Sequence, residues 1–404
     1  MPREWDRWTK IAVAVWGAIV LVVCIRGVVQ PTSHTLYPTY ARAGAEWLTR
    51  GIVYHDHWTA PFDQYRYSPL VTAFLAPLSV LPMSLGSVLW RLLNAGVFLG
   101  ALAWWLRVAA PSLAVPLTAR HRAILFLLAA PLALSSLSNG QPNPLVIGLL
   151  LAAMAASARE RWTLAAFCIG LATALKMYPI AVGLLLAAVY PRRFALRLLL
   201  VLGFLAVLPF FLQNPDYVAD QYVHWFARLG HNDRKFWPLE AAYRDLWLLC
   251  RVTHLPITPR AYLGIQLLTA AGCAVLCVAG RLRDLPRTHV LLMVFALGSC
   301  WMILCGPATE SCTYVLLSPA LAWAVLAASL QPGAAALRLL PRLAFGLLLG
   351  AVLAGAFPGT ARVHALGFQP LGALLLSMSY EIVFVKLLTQ PRVTRKETIL
   401  NRAA

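Results

Sequence analysis

Twelve stretches of this chain are apolar over most of a membrane's thickness, and most of its Lys and Arg residues fall in alternate segments between and beyond them. A helix needs about 20 apolar residues to cross the hydrocarbon. Inside lipid every backbone amide must find its partner within the protein, which leaves helices or closed barrels. Continuous runs of this length select helices. The spans fall at 11–29, 84–106, 122–138, 142–158, 162–176, 178–191, 195–213, 261–280, 288–305, 312–330, 343–358 and 369–387. The fifth and sixth are short and meet at Lys176-Met177-Tyr178-Pro179, the pattern of a tilted or partly re-entrant hairpin. The expected fold is all-α: a polytopic membrane protein of about 12 transmembrane helices, within a range of ten to thirteen, forming a single integral membrane domain over 1–404.

Composition agrees. Of 404 residues, 60% are hydrophobic and 12% charged, about half the charged share of a soluble domain. So high an apolar content also excludes disorder. The net charge of +19 would suggest nucleic-acid binding on a soluble chain. Here the cations are placed asymmetrically. Alternate segments hold Arg3, Arg7 and Lys10; Arg107, Arg120 and Arg122; Arg159 and Arg161; Arg192, Arg193 and Arg197; Arg281, Arg283 and Arg287; Arg338 and Arg342; and Lys386, Arg392, Arg395, Lys396 and Arg402. The short turns near 139–143 and 306–311, on the other side, hold none. By the positive-inside rule this puts both termini in the cytoplasm of a cell membrane and the cation-free turns outside. Membrane lipids, and no nucleic acid, are the expected surroundings. The first run follows a basic start and continues to about Val29, long enough for an uncleaved anchor.

Two outer loops are long, 30–83 and 214–260, and both are aromatic; a basic tail occupies 388–404. Within the loops, 40–48 and 217–229 have an amphipathic pattern that favours lying along the membrane surface. The eight cysteines are not arranged as a disulfide framework, although Cys305 and Cys312 are close enough in sequence for a bridge to be weighed. His55-Asp56-His57 lacks a third ligand, so no metal site is expected. No cofactor is required; a divalent metal is compatible with the sequence but not needed.

Polar residues gather on the outer face: Asp56, Asp63, Arg66, Asn139, Gln141, Asn143, Lys176, Arg244, Asp245 and Glu310. Each has an ordinary structural explanation beside a chemical one. Asn139, Gln141 and Asn143 surround Gly140 and Pro142 in a tight turn; their amides either bond loop carbonyls or hold sugar hydroxyls. Glu310 either caps the following helix or faces a ligand. Lys176 lies among apolar neighbours, where an ammonium needs an anion: Glu310, Asp63 or a ligand phosphate. Arg91 and Asn94 fall inside the second span, Arg91 roughly 10 Å below the surface by helical rise. Arg91 either snorkels outward or lines a cavity.

In order along the chain stand Gly51-Ile52-Val53-Tyr54, Tyr65-Arg66-Tyr67-Ser68-Pro69-Leu70, Ala76-Pro77-Leu78, Leu81-Pro82, Leu89-Trp90 with Asn94, Asn139-Gly140-Gln141, and Lys176-Met177-Tyr178-Pro179. This succession, over roughly 37–193, resembles glycosyltransferase family 87, C-type polytopic membrane enzymes that include polyprenol-phosphate-mannose-dependent mannosyltransferases. The resemblance implies transfer of a sugar, mannose by analogy, from a polyprenyl-phosphate donor to a lipid or glycan acceptor. It implies an extracytoplasmic site, inversion, and a carboxylate general base. The family places an Asp soon after the first span, and here Ser33-His34-Thr35-Leu36-Tyr37 contains no acid. Asp63 is the expected substitute, with Asp56 and Glu310 behind it, and His34 stands nearly in the missing acid's place. Arg66, Lys176 and Arg244 are expected to contact phosphate. Asn139, Gln141, Arg91, Asn94 and Tyr67 complete the expected binding set. A flippase for lipid-linked sugar and a non-catalytic subunit of the same fold are the alternatives. A flippase needs polar residues through the full depth of the membrane.

Overall fold

The computed structural model describes residues 6–54, 64–109, 117–230, 234–330, 335–357 and 361–390. Its regular structure is helical, with no strand among the described residues. The first part contains α1 (Arg7–Val29), α2 (Tyr37–Thr49), α3 (Pro69–Ser79), α4 (Met83–Ala109), α5 (Ala119–Ser138) and α6 (Asn143–Ala158). Then come α7 (Trp162–Leu175), α8 (Ile180–Val189), α9 (Leu196–Val207), α10 (Pro215–Gly230) and α11 (Leu246–Val252). The chain ends with α12 (Pro259–Leu282), α13 (Arg287–Leu304), α14 (Ser318–Leu330), α15 (Ala335–Gly355), α16 (Ala361–Ala365) and α17 (Phe368–Thr389). A π-helical turn, Pro191–Ala195, leads into α9, and 3-10 turns at Leu208–Phe211 and Ser311–Leu317 follow α9 and precede α14.

Each of the twelve expected spans has its helix. Nine are long and apolar enough to cross a membrane among the described residues; α6, α7 and α8 are shorter. The helices start where the chemistry favours starting. Thr258 accepts from the amide of Ala261 at 3.2 Å with Pro259 next in the chain, and Thr118 accepts from His121. The amphipathic loop segments are α2 and α10. They pack together through Trp47 and Tyr217, whose ring centroids are 5.7 Å apart, and Tyr217 donates to the carbonyl of Gly51 at 2.9 Å.

α6 and α13 are apolar all round and buried along most of their length, as central helices must be. α4 approaches α6 so closely that a Cβ on Gly148 would stand 2.9 Å from Phe98 Cα; a small residue is what permits such contact between membrane helices. α9 and α12 instead expose Leu199, Leu200, Leu267, Leu268 and Val275, the side chains expected against lipid. All eight cysteines are free, so the Cys305–Cys312 bridge is not formed.

The helix ends sort onto two faces. On one, Glu160 binds Arg193 at 3.1 Å and Arg287 at 2.6 Å, tying together three of the basic segments. On the other, Leu36 donates to Asn139 O at 2.9 Å, Tyr262 donates to Leu304 O at 3.2 Å, and Ser311 Oγ donates to Gln369 Oε1 at 2.9 Å. The α7–α8 hairpin starts and ends at the basic face. With 14 residues, α7 rises only about 21 Å, less than the roughly 30 Å of hydrocarbon. Its Lys176 turn therefore stops short of the opposite surface and forms the floor of a recess.

Candidate active site

Above that floor lies a cavity of about 180 Å³, lined among others by Tyr40, Arg66, Tyr67, Gln141, Lys176 and Glu310. Its walls come from distant parts of the chain. Gln64 to Ser68 descend along one side, held by Trp225 of α10, whose indole donates to Arg66 O at 3.1 Å. Ser68 Oγ donates to Ala174 O at 2.8 Å, fixing this segment to the end of α7. Tyr40 and Tyr67 make the aromatic wall, backed by the buried Tyr54 and Tyr65. The hydroxyls of Tyr40 and Tyr67 are 2.8 Å apart, Tyr54 donates to Tyr67 O at 2.7 Å, and the rings of Tyr65 and Tyr67 lie 5.4 Å apart. Burial pushes the Tyr67 phenol well above its usual range, so it remains a neutral hydroxyl able to donate.

The opposite wall is built by the two short turns. In the 139–142 turn, Gly140 has φ +64°, and its carbonyl accepts from Trp90 Nε1 at 2.7 Å. A side chain there would be strained and would press on Thr35 Oγ1. This geometry turns Gln141 toward the 306–311 turn, where its Nε2 donates to Glu310 Oε2 at 3.2 Å. Asn143 Nδ2 donates to Gln141 Oε1 at 2.9 Å and to Cys312 O at 3.1 Å. Tyr178 OH donates to Asn143 Oδ1 at 3.4 Å. Glu310 also pairs with Arg234 at 3.6 Å. That pair is partly exposed, so it orients the carboxylate more than it stabilises the fold.

Two cations face this carboxylate without being consumed by it. Lys176 forms no ion pair among the described residues; its Nζ lies 5.7 Å from the Tyr178 ring centroid, within electrostatic reach of Glu310 and Arg66. Arg66 Nε is buried with no hydrogen-bond partner, and a buried donor left unmet is costly unless something supplies an acceptor. Chemically, the cavity offers one oriented carboxylate, two cations and an aromatic wall.

The structure brings together Arg66, Tyr67, Gln141, Lys176 and Glu310, five of the residues singled out in the sequence. Others lie elsewhere. Arg91 is buried and spent on the scaffold: it bonds Ser87, reaches Thr35 Oγ1 at 3.1 Å and reaches Ser138 O at 2.8 Å. Asn94 accepts from the amide of Leu145 at 3.2 Å and so caps α6. Asn139 contributes its carbonyl to Leu36 and Thr35. Arg244 bonds the carbonyls of Leu239 and Glu240 at 2.8 and 2.6 Å, closing its own loop. His34 is exposed in the turn after α1, at φ +49°, and does not line the cavity. Asp56 and Asp63 lie outside the described residues, although Gln64, which follows Asp63 in the chain, lines the cavity. Arg234 was missed by sequence reasoning. Its guanidinium sits 5.1 Å from the ring centroids of both Trp237 and Tyr243, and the only hint in the sequence is its place beside Lys235-Phe236-Trp237.

Together these features define a polytopic membrane protein with a polar, aromatic-walled cavity at one membrane face. The chain belongs to glycosyltransferase family 87, whose sequence pattern matches residues 65–307, more than half of its length. The match begins after the first short motifs and runs farther into the second half of the chain than those motifs do. A stretch of 127 residues is 33% identical to GPI mannosyltransferase 1 of Trypanosoma brucei brucei, covering 31% of this chain and 28% of that protein.

Proposed function

We propose that this protein transfers a sugar from a polyprenyl-phosphate donor to a hydroxyl of a lipid or glycan acceptor, with inversion, at the face bearing the cavity. The observation that carries the proposal is the placement of Glu310, oriented by Gln141, opposite the uncommitted cations Lys176 and Arg66. In the reaction Glu310 removes the proton of the acceptor hydroxyl. The hydroxyl oxygen attacks the anomeric carbon as the bond from that carbon to the phosphate oxygen breaks. The leaving polyprenyl phosphate takes the bonding electrons, and Lys176 and Arg66 hold its negative charge. The tyrosine wall provides the flat apolar surface and hydroxyls on which a sugar ring rests. Inversion follows from a single base and a leaving group on opposite sides of the ring.

Mannose is the first sugar to test, because the protein with the matching 127-residue stretch is named a mannosyltransferase. The cavity face lies opposite the basic segments, so by the positive-inside rule the reaction is extracytoplasmic. The test is purified protein in lipid nanodiscs with radiolabelled polyprenyl-phosphate mannose, polyprenyl-phosphate glucose or a nucleotide-linked mannose, plus lipid extract from the source cell. Label entering a new product only from a polyprenyl-phosphate donor is the expected result. Transfer from the nucleotide sugar, or tight binding of the lipid donor without any product, contradicts it.

A further inference from the structure

A second, larger crevice lies at the opposite end of the bundle. Its volume is about 920 Å³, and it opens between the basic-face halves of α1, α4 and α5. The lining is apolar along its depth, with Val13, Val20, Leu99, Leu106 and Phe126. Trp16, the largest side chain there, contributes no free polar group because its indole donates to Phe126 O at 3.0 Å. Small residues create the space: at Gly17 a Cβ would meet nothing within 4 Å. At the mouth stand Arg107 and Arg122, both exposed, and neither forms a hydrogen bond or ion pair with a carboxylate among the described residues. Asp6, which feels the charge of Arg122, is committed to capping α1 through the Thr9 amide at 2.7 Å.

An apolar space stays dry, and a crevice of this size that opens to the bilayer is filled by hydrocarbon. Two unpaired guanidiniums at the opening select an anionic headgroup over a zwitterionic one. Depth selects the chain. From Thr9 to Val20 the crevice follows α1 for about 17 Å of helical rise, roughly half of the 30 Å hydrocarbon thickness and so one leaflet. An acyl chain of an ordinary phospholipid has that reach, and a long polyprenyl chain does not fit within it. We propose that this crevice is a binding site for an anionic glycerophospholipid, with an acyl chain between α1, α4 and α5 and the phosphate at Arg107 and Arg122. The site is separate from the cavity of Glu310 and does not depend on the reaction proposed for it.

The test is native mass spectrometry of the full chain released from micelles after incubation with phosphatidylglycerol, phosphatidylcholine or undecaprenyl phosphate. One phosphatidylglycerol retained per chain, in preference to phosphatidylcholine, is expected. Arg107→Gln with Arg122→Gln should weaken retention roughly thirtyfold, from the usual contribution of a basic side chain at an anionic membrane surface. Gly17→Phe should weaken retention by projecting a ring into the crevice while leaving both arginines in place. Arg159→Gln with Arg161→Gln, elsewhere on the basic face, should change nothing. Equal retention of phosphatidylcholine, unchanged retention in the Arg107 and Arg122 double variant, or selective retention of undecaprenyl phosphate would each overturn the assignment.

Discussion

Gln141 and Glu310 are 169 positions apart in the chain and meet at 3.2 Å, amide nitrogen to carboxylate oxygen. The direction of that bond is set from behind. Asn143 donates to Gln141 Oε1 at 2.9 Å, which turns the Gln141 amide so that its nitrogen faces Glu310. Tyr178 donates in turn to Asn143, and Tyr178 is two residues from Lys176. One chain of hydrogen bonds therefore connects the floor that carries the cation to the turn that carries the carboxylate.

Removing the donor to Glu310 should damage turnover more than donor binding. Gln141→Leu is expected to lower kcat roughly tenfold to a hundredfold, the usual consequence of a misplaced catalytic group, with little change in the donor KM. Steady-state kinetics in nanodiscs measure both. A rise in KM with kcat intact would show that Gln141 binds substrate instead of orienting Glu310.

The cations are expected to act on the leaving phosphate. Lys176→Met and Arg66→Met should each cost about 10²-fold in kcat/KM, in the range of other lost transition-state contacts. Arg66→Lys should recover only part of the loss, since a lysine lacks the planar fork of donors. Undiminished activity in Lys176→Met would remove that residue from the site.

Arg91 is expected to matter for stability. It joins α4 to the turn after α1 and to the end of α5. Arg91→Met leaves those acceptors unmet, so the melting temperature in detergent should fall by several degrees. Activity per folded molecule should hold. A variant that melts normally but fails to bind donor would place Arg91 in ligand recognition after all.

Stability should also depend on pH through Asp245, the buried N-cap of α11, which accepts from Leu248 at 3.1 Å. Burial pushes its carboxyl up to about 6 from the ordinary 3.8. The folded state thus holds this proton more tightly than the unfolded state. Its stabilising contribution is complete below about pH 3.8, falls as pH rises, and is gone above about 6. The difference is of order 3 kcal/mol. Asp245→Asn keeps a capping side chain and should flatten the melting temperature across that window. A wild-type profile already flat there contradicts the burial argument.

The helical membrane fold was legible in the sequence because apolar length is a one-dimensional signal. The helices α2 and α10 were visible through their amphipathic period. The site was only partly legible. Lys176 announced itself as a charge among apolar residues, and Gln141 as an amide beside a turn glycine. Arg91 carried the same signal as Lys176 and yet serves the scaffold, because its partners are backbone carbonyls and hydroxyls that no residue pattern reveals. Arg234 meets Glu310 only after two loops fold over each other, and nothing local marks it. Glu381 of α17 carries no such mark either: it is bonded by Ser377 of the same helix at 2.9 Å, and a single acid is easily lost in an apolar run.

Glu310 is proposed here as the base. Its direct test compares single-turnover transfer of label from polyprenyl-phosphate mannose by wild-type protein, Glu310→Gln and Asp63→Asn, with melting temperature measured on the same samples. Loss of at least roughly 10²-fold in rate for Glu310→Gln, with an unchanged melting temperature and with Asp63→Asn still active, is the predicted result. Full activity in Glu310→Gln together with loss in Asp63→Asn would remove Glu310 from that role and move the base to the first outer loop.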